Sequence, residues 1–338
     1  MRLLQMGLEQ KIETTLEPWL CYYCGQCSEQ CPREADPGET MMSLRRWLIS
    51  RYDFTGIARQ FFKSRTKEIV AIIVVALLTG IFLLYYGFSG GSLHVYDGEG
   101  AFLPSQFIHK FDLTIGMVLL IFLVANAIHM WYLVMIKGTT FPVPWWLYIK
   151  EFYQLPWHFF TQKRYAECEV KNQHPVFMPW IIHLGLMLGY VTMLVLVMVF
   201  VEHLQSGPEI KWSVHIFGYL ATIGLVTGTI YFIRHRLIKN YVQYKKSHGT
   251  DWVFVVLLFL IVITGIFQHI FHRTGLYEWA NITYVIHLMC VVPWLLRMPF
   301  SKWAHLIYRP LAMYLAAIRR DALTMRETVE NSLPVFIK

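Results

Sequence analysis

The chain has 338 residues, of which 56% are hydrophobic and 15% charged, and its formal net charge is +8. The apolar residues stand in long blocks rather than at an amphipathic period, which excludes an ordinary soluble domain and points to an all-α membrane protein. The excess of cations is accounted for by the loops, as set out below, and requires no nucleic-acid partner.

The first informative element is the run Cys21-Tyr22-Tyr23-Cys24-Gly25-Gln26-Cys27-Ser28-Glu29-Gln30-Cys31-Pro32. Its spacing, C-x2-C-x2-C-x3-C-P, is the ligand run of bacterial-type [4Fe–4S] clusters, in which closely spaced thiolates can each hold one iron corner. A structural zinc site usually takes two separated Cys/His pairs, and disulfides belong to oxidising compartments. In two-cluster ferredoxins the fourth cysteine of such a run ligates the other cluster. Cys31 therefore completes this cluster, joins one shared with a partner protein, or serves a site whose other half lies upstream. Cys168 and Cys290 read as ordinary residues of a loop and a membrane helix.

Asp36-Pro37-Gly38-Glu39 opens a helix running through Ser50, with proline early and acids in the first turn. Residues 1–66 are thus expected to form a small ferredoxin-like iron–sulfur segment. It is too short to bury much core alone, so a partner surface is expected to cover it.

Six segments then approach the roughly 20 apolar residues that cross about 30 Å of hydrocarbon: 69–88, 113–136, 176–201, 212–233, 252–271 and 279–296. No cleavable signal peptide is expected ahead of them. Arg45, Arg46, Arg51, Arg59, Lys63, Arg65 and Lys67 precede the first span, and Arg234, Arg236, Lys239, Lys245 and Lys246 follow the fourth. The alternate connections hold only Lys110, Lys211 and Arg273. The positive-inside rule puts both termini and the cysteine run in the cytoplasm, with the spans in the inner membrane. The expected organisation is the cluster segment 1–66, two helices over 67–136, an interfacial loop at 137–175 rich in Trp and Phe, a four-helix domain over 176–310, and a cytoplasmic tail at 311–338.

Ionisable groups in hydrocarbon are costly and are candidates for function. His129, His183, His215, His269 and His287 stand inside the spans. By depth, at about 1.5 Å per residue, His183 and His287 lie toward the inner face, where they could share one haem iron. His215 and His269 lie near the outer face, where they could share a second. Helix bundles build such sites from facing side chains, and histidine is a usual haem ligand. No C-x-x-C-H sequence exists, so any haem is non-covalent haem b. His129 remains as a proton or quinone residue, and His272 and His203 as outer alternatives. His94, His109, His158, His174, His248 and His305 read as solvated or interfacial.

Met6-Gly7-Leu8-Glu9, Trp19-Leu20-Cys21, the Cys-Pro-Arg and the Pro-Gly-Glu helix start resemble the second half of the C subunit of heterodisulfide reductase. Residues 176–310, ending Met298-Pro299-Phe300-Ser301-Lys302-Trp303-Ala304-His305, resemble the dihaem cytochrome b subunit of respiratory nitrate reductase. The fusion is similar to the third subunit of the quinone-interacting membrane-bound oxidoreductases. The resemblance implies His183 and His287 as inner haem ligands and His269 as one outer ligand. The family's other outer ligand falls at Met193, so His215, Met193 or a single-haem protein remain open. Lys211 matches a lysine beside the family's outer quinol site, and a snorkelling lysine is the plain alternative. His272 and Glu202 at the outer face and His129 at the inner are further quinone or proton candidates.

The function so implied is electron transfer between menaquinone and a cytoplasmic flavoprotein or iron–sulfur subunit, through b haems and a [4Fe–4S] cluster. A cytochrome b anchor of a hydrogenase, formate dehydrogenase or electron-transferring flavoprotein complex is the alternative, and a haem-free anchor the second.

Overall fold

The computed structural model describes residues 2–89, 105–166, 177–205, 211–239 and 242–332. Cys168, His94 and His174 lie outside them. The described residues are helical almost throughout and contain no strand. Six helices are long and apolar enough to cross a membrane. Each contains or nearly contains a span expected from sequence, and most extend it by a turn or more while Tyr277–Leu296 adds two residues.

The segment before the spans is a set of short helices followed by α1 (Pro37–Tyr52). Asp36 caps α1: its side chain accepts the Glu39 N–H at 3.2 Å and the Ser28 hydroxyl at 2.6 Å. The cap therefore also ties α1 to the cysteine run. The two first spans are α2 (Arg65–Ser89) and α3 (Ser105–Trp131), the latter continuing into a π-helical turn, Tyr132–Lys137. Two short helices, α4 (Trp145–Lys150) and α5 (Gln154–Thr161), follow.

The remaining spans are α6 (Phe177–Gln205), α7 (Trp212–Ile238), α8 (Gly249–Arg273) and α9 (Tyr277–Leu296). Helix α6 packs along α7, α7 beside α8 and α8 along α9, while α9 also lies against α2. The α6–α7 crossing is close because Gly185, Gly189, Gly224 and Gly228 interleave. A Cβ on Gly224 would stand 2.6 Å from the Gly185 carbonyl oxygen. This is the small-xxx-small arrangement by which membrane helices approach without a hydrophobic drive. The outward faces carry bare apolar side chains, Leu78 at 61% and Ile81 at 63% exposure among them. In water such faces would be a liability, and in hydrocarbon they are the expected surface.

At one end of the bundle Arg297 Nε donates to Glu68 Oε1 at 2.5 Å and its terminal nitrogen to the Thr250 carbonyl at 3.0 Å. A buried charge is tolerated only when paired in this way, and this pair joins α2, α8 and the end of α9.

The segment expected as a tail at 311–338 begins inside a 28-residue helix, α10 (His305–Ser332). Tyr308, Ala312, Leu315, Ile318 and Ala322 recur at helical spacing and are buried. They pack on Trp19, Leu48, Ile49 and Tyr52 of the N-terminal segment and on Met130, Leu133, Val134 and Leu147. The surface that covers the cysteine-bearing segment is thus supplied, at least on this side, by the chain's own C-terminal helix.

Candidate functional site

The cysteine run is folded by two left-handed residues, Tyr23 (φ +58°) and Gly25 (φ +89°), which turn the chain on either side of the second cysteine. Glycine adopts this conformation without cost. A short helix, Gln26–Glu29, carries Cys27. The Tyr23 N–H points to Cys21 Sγ at 3.4 Å. Burial, followed by the charge of Cys21, pushes the Cys27 thiol up, with Cys24 adding to it. Among the described residues no three His, Cys, Asp or Glu side chains converge closely enough to hold a single ion. Four thiols around a wrapped loop, with a backbone N–H on one sulfur, fit the donor set of an iron–sulfur cluster.

Two guanidiniums meet the carbonyl of Cys21. Arg45, buried, donates to it and through Nε to the Pro18 carbonyl at 2.6 Å. Arg309 of α10 donates to it at 2.6 Å and stacks its guanidinium over the Tyr22 ring at 4.1 Å.

From the same loop a line of rings leads into the bundle. Tyr22 stacks on Tyr165 with centroids 5.5 Å apart, and Tyr165 meets His183 edge-on at 5.9 Å. His183 lines a cavity of about 200 Å³ between the cysteine segment and the ends of α6–α8 and α10. Arg45, Arg236, Lys302 and Arg309 also line it, with Glu39 and Asp251 as its carboxylates. Lys302 Nζ reaches Asp251 at 3.0 Å, and burial brings its ammonium down to about 8.

Opposite His183 in this cavity stands His305, the first residue of α10, with ring centroids 6.1 Å apart. His183 Nδ1 is 2.7 Å from Gln162 Oε1, and His305 Nδ1 is 2.6 Å from the Lys302 carbonyl. Such bonds fix the tautomer that leaves Nε2 for a metal.

His287 is elsewhere. Its Nδ1 is 2.9 Å from Thr264 Oγ1, and its ring lies where a Cβ on Gly265 would be 3.1 Å away. Tyr190 and Trp294 meet with centroids 6.3 Å apart and fix a common level on α6 and α9. His183 lies seven residues before Tyr190 and His287 seven before Trp294, on helices running in opposite directions. At 1.5 Å per residue the two histidines are displaced about 10 Å each in opposite senses, about 20 Å in all. The structure does not bring His183 and His287 together.

It does bring His215 and His269 together, with ring centroids 6.1 Å apart at the other end of α7 and α8. His215 Nδ1 is 3.1 Å from the Lys211 carbonyl. Here, however, the Nε2 atoms are engaged: His269 Nε2 lies 3.2 Å from the Tyr219 hydroxyl and His215 Nε2 3.4 Å from an Arg273 nitrogen. Iron at this pair requires those two contacts to open. Lys211 is exposed and precedes α7, and His272 is half-buried against Tyr277. Met193 packs in the apolar core with Leu186 and Trp294. His129 Nδ1 is 3.0 Å from the Tyr52 carbonyl, joining α3 to the end of α1.

Sequence reading missed His305, Arg45, Arg309, Tyr22, Tyr165 and Gln162 as site residues. The arrival of His305 and Arg309 depends on where α10 docks, and the helical spacing from Tyr308 to Ala322 was the signal for that helix.

A 59-residue stretch is 32% identical to a protein of Archaeoglobus profundus described as like the C subunit of heterodisulfide reductase, covering 18% of this chain and 31% of that relative. No protein-family model and no solved structure matches the chain.

Proposed function

We propose that this chain is the multi-pass membrane subunit of a respiratory oxidoreductase complex. It passes electrons between menaquinone and a cytoplasmic flavin or iron–sulfur partner. A [4Fe–4S] cluster on Cys21, Cys24, Cys27 and Cys31 and b haems in the bundle supply the one-electron chemistry. The observation that carries the reading is the short line from Cys21 through Tyr22 and Tyr165 to His183. It puts a thiolate-rich loop and a histidine-lined cavity in ring-to-ring contact. The likeness of part of the chain to a heterodisulfide reductase-like protein supports a redox role.

In this reading the protein's own residues have separate tasks. Arg45 and Arg309 hold positive charge beside the thiolates. Gln162, the Lys302 carbonyl and the Lys211 carbonyl set the tautomers of His183, His305 and His215. Lys211 and His272, at the end remote from the cysteines, are the groups to accept protons from a quinol. The cation-rich loops and the cysteine run share one face, which orients both termini to the cytoplasm of an inner membrane.

The test is reduced-minus-oxidised spectroscopy, pyridine haemochrome and non-haem iron on the purified full chain, followed by reduction with a menaquinol analogue. A b-type band with four non-haem irons, reducible by the quinol, is expected. A chain isolated from intact membranes with neither haem nor iron would refute the proposal.

A further inference from the structure

The histidine that faces His183 comes from outside the six spans. We propose that His183 and His305 are the two axial ligands of the inner haem, and that His287 is not a ligand of that iron. The inference rests on the redox reading above and deepens it.

Three observations carry it. The His183 and His305 rings stand 6.1 Å apart, a separation that two metal–nitrogen bonds of about 2 Å would span through the ring nitrogens. Both Nδ1 atoms already have acceptors, Gln162 Oε1 at 2.7 Å and the Lys302 carbonyl at 2.6 Å. Each Nε2 is left without a hydrogen bond among the described residues, in contrast to the engaged Nε2 atoms of His215 and His269. Finally, both rings line a cavity whose wall also carries Phe232, Tyr190 and Leu186 and the cations Arg45, Arg309 and Lys302. Aromatic and aliphatic side chains suit the faces of a macrocycle, and the positive charges of these residues, though each already has a partner in the protein, suit the field of its carboxylates. His287, about 20 Å away along the helices, has its Nδ1 on the Thr264 hydroxyl.

The assignment has a mechanical consequence. Helix α10 holds the Cys21 carbonyl through Arg309 and begins at His305, four residues earlier. One helix would then position both the cluster loop and an axial ligand, so that their separation is fixed by a single turn of helix.

The experiment compares wild type with His183→Ala, His305→Gly and His287→Ala, all as full chains purified from membranes. The readouts are haem per protein and the low-spin ferric haem signals by electron paramagnetic resonance, with and without added imidazole. The expected result is that His183→Ala and His305→Gly lose the same low-spin signal, that imidazole restores it in His305→Gly, and that His287→Ala retains it. The iron–sulfur signal of the reduced protein reports whether each variant is folded. Should His305→Gly keep every wild-type low-spin signal while His287→Ala loses the one that His183→Ala loses, the inference is overturned. A wild-type protein without haem would instead overturn the functional reading on which it stands.

Discussion

Replacing Glu68 by alanine removes the one carboxylate that, among the described residues, is paired with Arg297. Glu68 is 0% and Arg297 4% exposed, and the guanidinium would retain the Thr250 carbonyl as an acceptor. Breaking a buried pair by deleting one partner costs about 3–5 kcal/mol, because the remaining charge is stranded in low dielectric. That is about two to three and a half powers of ten in the folded fraction. Replacing both residues by methionine is expected to be neutral or stabilising, since neither charge then has to be desolvated. Glu68 Oε2, which has no hydrogen-bond partner among the described residues, adds to this expectation. The assay is thermal unfolding in detergent, read by tryptophan fluorescence and by gel filtration. A Glu68→Ala protein within about 1 kcal/mol of wild type, or a double variant as unstable as the single one, would refute the argument. Arg297 also opens the turns that lead to His305, so Glu68→Ala is expected to broaden the haem signal assigned to that residue.

Three further outcomes follow from the same structure. Gly224→Ala puts a methyl against the Gly185 carbonyl and is expected to cost about 1–3 kcal/mol, measured by the same unfolding assay. Serine at Cys21, Cys24 or Cys27 is expected to abolish the reduced iron–sulfur signal and lower non-haem iron while leaving the b-type band in place. Asp36→Ala removes the cap of α1 and its bond to Ser28, at about 1 kcal/mol, read as faster loss of iron to a chelator. Burial pushes the Asp36 carboxyl up, but the Ser28 hydroxyl and the Glu39 N–H outweigh it and hold the carboxyl below its ordinary value of 3.8. Because the folded value is the lower one, this stabilisation is complete above that pH and fades as pH falls through and below it. Iron retention in wild type should therefore decline toward that of Asp36→Ala in acid.

What the sequence determined by itself is what depends on local spacing and on the cost of burying polar groups in lipid. Six apolar blocks become helices because in lipid only a helix or a closed barrel satisfies the backbone, and unbroken apolar blocks of about 20 residues suit the helix. The Asp36 cap and the four-cysteine run are contiguous, so their chemistry is written in consecutive residues. The approach of His215 and His269 was also legible, because depth along two adjacent helices is counted in residues. Depth failed for His183 and His287. Counting from helix ends assumes that the ends share a level, whereas Tyr190, thirteen residues into α6, meets Trp294, two residues from the end of α9. The partner of His183, the two arginines on Cys21 and the Tyr22–Tyr165 stack are decided by tertiary structure alone. Most of these contacts join segments more than a hundred residues apart, and those of His305 and Arg309 come through the docking of α10, whose apolar stripe has no meaning until it finds Trp19, Tyr52 and α3 to cover.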